Sequence, residues 1–147
     1  MHLVQIATSR FGVLTPTDEQ RIRIDGGLLG FPDADEFVVV PVVESPEWIW
    51  LQSTSDPDLA FLSVKAFDFF PDYNPDIPEA DASALGIEDP DDAEVLALVT
   101  IIRGSSGEVE DISANLLGPI VINVKTLVAR QIVLAESGHS TKTRLLD

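Results

Sequence analysis

The feature that most constrains this chain is the way turn residues cut it into short runs rich in β-branched side chains, each of strand length and none long enough for an extended helix. Arg21-Ile22-Arg23-Ile24 alternates polar with apolar residues and stops at Asp25-Gly26-Gly27, the pattern of a half-buried strand ending in a turn. Residues 37–43 and 48–53 read as an antiparallel pair about Glu44-Ser45-Pro46, and 59–64 follows the Asp56-Pro57 turn. In the second half, 95–103 and 109–115 flank Gly104-Ser105-Ser106-Gly107, a loop suited to a hairpin, and 119–124 with 128–134 supply a closing pair. About nine short strands with close turns define a mainly β domain, and the residues alone leave barrel and sandwich open. Helix is expected only as single turns, at 82–85 before Gly86 and at 90–94.

A length of 147 residues with 45% apolar content suits one domain with a real core. Nine basic against 25 acidic residues leave a net charge of -16, which repels nucleic acid and anionic lipid and attracts basic partners. The absence of cysteine excludes disulfides, thiolate metal sites and cysteine nucleophiles, and fits a reducing compartment. Met1-His2-Leu3-Val4-Gln5-Ile6 is too short an apolar run for a signal peptide, and no stretch approaches a membrane span. No asparagine begins a glycosylation sequon. The expectation is a cytoplasmic protein with no membrane contact.

The charge is not evenly spread. Residues 66–102 hold ten Asp or Glu and no Lys or Arg, with prolines at 71, 75, 78 and 90, whereas 112–147 is slightly basic. We read 1–136 as one domain carrying an acidic, proline-bearing excursion at 66–94, pinned to the core by Phe67, Phe69, Phe70 and Tyr73, and 137–147 as a polar, mobile tail. In Trp48-Ile49-Trp50-Leu51 a period of two puts both tryptophans on one face, so both faces are apolar and the outer one is either covered by the excursion or open to an apolar partner.

Catalytic chemistry finds little support. His2 and His139 lie near opposite ends, where a base cannot be held rigidly against a nucleophile. Nothing singles out one carboxylate pair for acid–base work. Gly26-Gly27-Leu28-Leu29-Gly30 is followed by Phe31-Pro32 where a phosphate loop needs a helix, so it reads as a tight turn. In Asp89-Pro90-Asp91-Asp92-Ala93-Glu94, Pro90 and Glu94 break the calcium-loop spacing. No cofactor, metal or enzymatic activity is expected.

Several motifs in order resemble the flagellar assembly factor FliW family along nearly the whole chain: Gly27-Leu28-Leu29-Gly30-Phe31, Leu51-Gln52-Ser53, Leu59-Ala60-Phe61, Pro71-Asp72-Tyr73, Ala114-Asn115-Leu116-Leu117-Gly118-Pro119-Ile120-Val121-Ile122-Asn123 and Ala129-Arg130-Gln131-Ile132-Val133-Leu134. Leu29 and Gly118 stand where the family commonly has proline and alanine. The resemblance implies a small single-domain β-barrel-like fold with a few short helices. It also implies a cytoplasmic factor that binds flagellin and, when free of it, binds and antagonises the CsrA-type RNA-binding translational repressor, with no direct nucleic-acid contact.

Two expectations for the site follow. Asp89, Asp91, Asp92 and Glu94 offer carboxylates to a basic repressor and would repel incoming RNA over about 8 Å at physiological salt. Phe69, Phe70 and Tyr73, with Trp48 or Trp50 behind them, offer an apolar contact to the amphipathic helices of flagellin. The motif residues Gly30, Phe31, Gln52, Asn115, Pro119, Ile120 and Gln131 are expected to hold the fold. The alternative reading is a barrel binding a small molecule or carbohydrate, with the tryptophans as a stacking platform.

Overall fold

Alternation at period two gives each long strand one aliphatic face, and burying that face against its equivalents closes the sheet on itself. The computed structural model describes residues 4–135 and 137–145, so His2 lies outside the described residues. Strands β1 (Ile6–Thr8) and β2 (Gly12–Leu14) form a separate antiparallel hairpin. The main sheet contains β3 (Arg21–Ile24), β4 (Glu36–Val42), β5 (Ser45–Ser53), β6 (Ala60–Lys65), β7 (Ala93–Arg103), β8 (Val109–Ala114), β9 (Ile120–Asn123), β10 (Val128–Gln131) and β11 (Thr143–Arg144). Hydrogen bonding runs β7-β6-β5-β4-β3-β10-β9 and returns to β7, a closed barrel of 7 strands. Its one parallel pairing is β3 with β10, where Arg23 and Ile24 face Val128 and Ala129.

Closure depends on the length of β7, which spans 11 residues. Its start pairs with β9, its centre with β6, and Val99 to Arg103 pair with β8 outside the barrel. Gly104 donates to Glu108 O at the tip of that arm. Inside the barrel, Ile22, Ile24, Phe37, Leu51, Leu96 and Ile120 are buried. One end is plugged. Gly27, at φ 72, turns so tightly that a Cβ would collide with the Pro32 backbone. The turn drives Leu28, only 2% exposed, into the core and sets Phe31 edge-on against Phe61 at 5.2 Å.

A second apolar cluster covers the outside of the wall. The outward residues Val64, Val95, Ala97 and Val121 pack with Ala114, Leu116, Ile132 and Leu134, and with Tyr73 and Leu85 from the excursion.

Local details differ from the sequence reading. The turn between β4 and β5 is Val43-Glu44, so Ser45 and Pro46 belong to β5. A helix starts at Glu79, directly after Pro78, and not at 82, and Glu79 and Asp81 suit its first turn. In the segment read as a mobile tail, Thr143 and Arg144 pair with Ala114 and Ser113 on β8, and Arg144 Nε lies 3.1 Å from Asp111. Two residues are too few to show a period, so only the partner strand reveals β11.

Candidate partner-binding surface

After β6, prolines interrupt any further ladder and the chain crosses the barrel's outer face as a strap. The strap contains α1 (Ala66–Phe69) and α2 (Glu79–Leu85), and a 3-10 turn at Pro90–Asp92 returns the chain to β7. Gly86, at φ 71, ends α2 in the left-handed conformation that glycine adopts freely. Two contacts tie α2 to the wall. The Asn123 side-chain amide donates to Leu85 O at 2.8 Å, and the Arg130 guanidinium spans Asp25 at 2.8 Å and Asp81 at 3.1 Å. Hydrogen bonds to Asp25 and then Asp81 raise the Arg130 pKa further, so the guanidinium stays charged.

Between strap and wall runs a groove of about 420 Å³. Phe67, Ile77, Ala82 and Ile87 line it from the strap, Val95 and Val121 from the wall, and Glu88 and Pro90 stand at its rim. Among the described residues, no Lys or Arg lines it. An apolar floor with the Glu88 carboxylate at its edge can seat the apolar face of an amphipathic segment whose flank is basic.

The aromatic residues singled out in the sequence lie behind this groove, in the second apolar cluster. Tyr73 is 8% exposed, and its hydroxyl donates to Leu116 O at 2.6 Å. Burial pushes its phenol up to about 12. Phe69 and Phe70 are half-buried against the same cluster, Phe69 edge-on to Trp48 at 5.3 Å. The exposed aromatic at the groove is Phe67, at 44%. Trp50 lies elsewhere, under Phe11 and the Arg10 guanidinium of the β1–β2 hairpin. The outer face of β5 is therefore covered by two different elements, α1 over Trp48 and the hairpin over Trp50.

The acidic residues divide. Asp89 and Asp91 are exposed beside the rim residue Pro90, with the Asp89 carboxylate accepting from Asp91 N–H at 2.9 Å. Asp92 turns to Lys125 at 3.3 Å. Glu94 faces the barrel's open end, 3.9 Å from Lys65. Desolvation raises its pKa, Lys65 opposes that, and Asp68 adds to it. Alternation on β7 is the cause: Ala93 and Val95 face the groove, so Glu94 must face the other way. Ile77 and Ile87 were missed as site residues, although isolated branched aliphatics in so acidic a stretch were a readable signal.

The motif residues sit at backbone joints. Gln52 is fully buried, its Nε2 within 3.1–3.4 Å of the carbonyl oxygens of Ser53, Asp56, Pro57 and Leu59. Asn115 Oδ1 accepts from Gly118 N–H at 2.8 Å, while Gln131 donates to Gly118 O at 3.0 Å and accepts from Leu29 N–H at 2.8 Å. Gln131 thus joins the Gly118 turn to the loop that plugs the barrel. Pro119 and Ile120 are fully buried; Gly30, at φ 85, and Phe31 lie in the plug loop. Among the described residues, no group of three His, Asp or Glu converges to hold a metal ion, and no helix is long and apolar enough to cross a membrane.

These features define a small closed β-barrel with an acidic strap and an apolar groove between the two. A family model described as FliW protein matches residues 5–145. The flagellar assembly factor FliW of Heliobacterium modesticaldum is 41% identical over 142 residues, covering 97% of this chain and 90% of the relative. That of Moorella thermoacetica is 38% identical over 142 residues, covering 97% and 88%. That of Bacillus subtilis is 36% identical over 137 residues, covering 93% of each. A crystal structure of the flagellar assembly factor FliW superposes with a TM-score of 0.86 at 30% identity over 98% of both chains. The chain belongs to the FliW family of flagellar assembly factors.

Proposed function

We propose that this protein works in the cytoplasm by binding and not by catalysis: it holds flagellin, and when flagellin is exported it captures a CsrA-type translational repressor and relieves repression of flagellin synthesis. The observation that supports this reading is the groove, whose apolar floor is edged by Glu88 and Pro90, with the exposed Asp89 and Asp91 on either side of Pro90. An amphipathic helix of flagellin lays its apolar face on Phe67, Ile77 and Ile87. A repressor that grips RNA with Lys and Arg is drawn to Asp89 and Asp91, and those carboxylates then stand in the way of phosphates. Because floor and rim adjoin, each partner hinders the other.

The test is calorimetry with purified partners. Reversing Asp89 and Asp91 to lysine weakens repressor binding and flattens its salt dependence, while Phe67→Ser weakens flagellin binding with folding intact. Unchanged repressor affinity across a salt series removes the charge mechanism, and unchanged flagellin affinity removes the groove as its site.

A further inference from the structure

The two ends of the barrel are built differently. Leu28 and its loop plug one, whereas the other opens into a hollow of about 400 Å³ with Ile22, Ile49, Leu96 and Ile122 on its floor. Pro41, Pro46, Val124 and Leu127 stand around it. At this end Val43, in the β4–β5 turn, is 95% exposed and Val124 47% exposed, so the apolar surface continues outward from the hollow. The charged residues lining it are Glu19, Glu94 and Lys65. The 3.9 Å between Lys65 Nζ and Glu94 Oε1 is too long for a hydrogen bond, and among the described residues no side chain donates one to Glu94. Glu94 thus has one ammonium nearby, and with Glu19 the hollow carries two carboxylates against that single cation, an excess that favours a basic flank. The desolvation that raises the Glu94 pKa has the same origin.

We propose that the open end of the barrel is a second docking site, separate from the strap groove, for a protein segment that inserts one Leu or Ile side chain and carries a Lys or Arg next to it. The aliphatic anchor sits in the hollow above Ile49 and Ile122, and the neighbouring cation meets Glu94 and Glu19. The barrel's own side chains fill its interior, so the anchor rests on them at the mouth, and the excess of carboxylate over ammonium selects the basic flank. Strand β7 keeps the two sites apart, with Glu94 and Leu96 in the mouth and Ala93 and Val95 in the groove. The site does not depend on which partners occupy the groove.

The probe is the peptide acetyl-Lys-Leu-Lys-amide, titrated into the full chain with methyl-labelled Ile, Leu and Val and compared with acetyl-Glu-Leu-Glu-amide and acetyl-Leu-amide. The expected result is saturable shifts at Ile49, Ile122, Val124 and Leu127, with the lysine peptide at least about threefold tighter than either comparator, the scale of one partly exposed ion pair. Glu94→Gln removes most of that preference, whereas Asp91→Asn, a control for the acidity of the chain as a whole, leaves it. Val124→Lys, at an exposed position, abolishes the shifts without moving the thermal midpoint. The proposal is overturned if no shifts occur at the mouth, if they gather instead at Phe67, Ile87 and Val121, if the uncharged peptide binds as well, or if the preference survives Glu94→Gln.

Discussion

Tyr73→Phe separates packing from recognition. The ring remains against Phe67 and His139, and only the hydroxyl that donates to Leu116 O is lost. Leu116 is itself 5% exposed, so its carbonyl loses its donor in a place water does not reach easily. Leaving such a group unpaired costs about 1–3 kcal/mol, and in a domain of this size each kcal/mol lowers Tm by about 2–4 °C. Urea unfolding followed by the fluorescence of Trp48 and Trp50 measures the loss, with an unchanged slope showing that the unfolded state is the same. Alkaline pH supplies a second reading. Below 10, the ordinary value, the phenol is neutral whether the chain is folded or not. As pH rises from 10 toward the folded value of about 12, the unfolded chain releases its proton while the folded one keeps it, so stability falls. Tyr73→Phe lacks that part of the fall. Tyr73→Ala, which empties the site, costs about 3–5 kcal/mol. A Tyr73→Phe protein within about 0.3 kcal/mol of the parent would refute the reasoning. So would one that keeps its stability and loses flagellin affinity, since Tyr73 would then be a contact residue.

Asn123→Ala leaves Leu85 O and the N–H groups of Lys125 and Thr126 without their side-chain partner, and should cost about 1–3 kcal/mol, with faster amide exchange across residues 79–87. Gly86→Ala has room for its Cβ, whose nearest neighbour would be Asn123 Nδ2 at 3.8 Å, so thermal melts should show a loss of about 1–2 kcal/mol that comes from the left-handed backbone alone. Arg130→Gln frees Asp81, and with it α2, from the bridge to β10 and Asp25; amide exchange in α2, expected to quicken with added salt in the parent, should become fast and insensitive to salt.

What the sequence alone determined is what depends on near neighbours. The alternation of Arg21 to Ile24, the shared face of Ile49 and Leu51, the glycine turn after β3 and the hairpin at Gly104 to Gly107 each follow from a few adjacent residues, because side-chain direction repeats every second residue and glycine adopts positive φ most freely. The motifs were likewise enough to carry the family resemblance. Tertiary structure decided whatever depends on register between distant segments. It closed the sheet through a single parallel pairing and through one long strand that serves β9, β6 and β8 in turn. It divided the cover of Trp48 and Trp50 between two elements, found a partner for Thr143 and Arg144, and sent Tyr73 into the core while leaving Phe67 at the groove. It also dispersed the carboxylates, Asp89 and Asp91 outward, Asp92 to Lys125 and Glu94 into the barrel mouth. A count of charges along the chain is a one-dimensional quantity. Which side of a closed wall each charge faces is settled only when the wall closes.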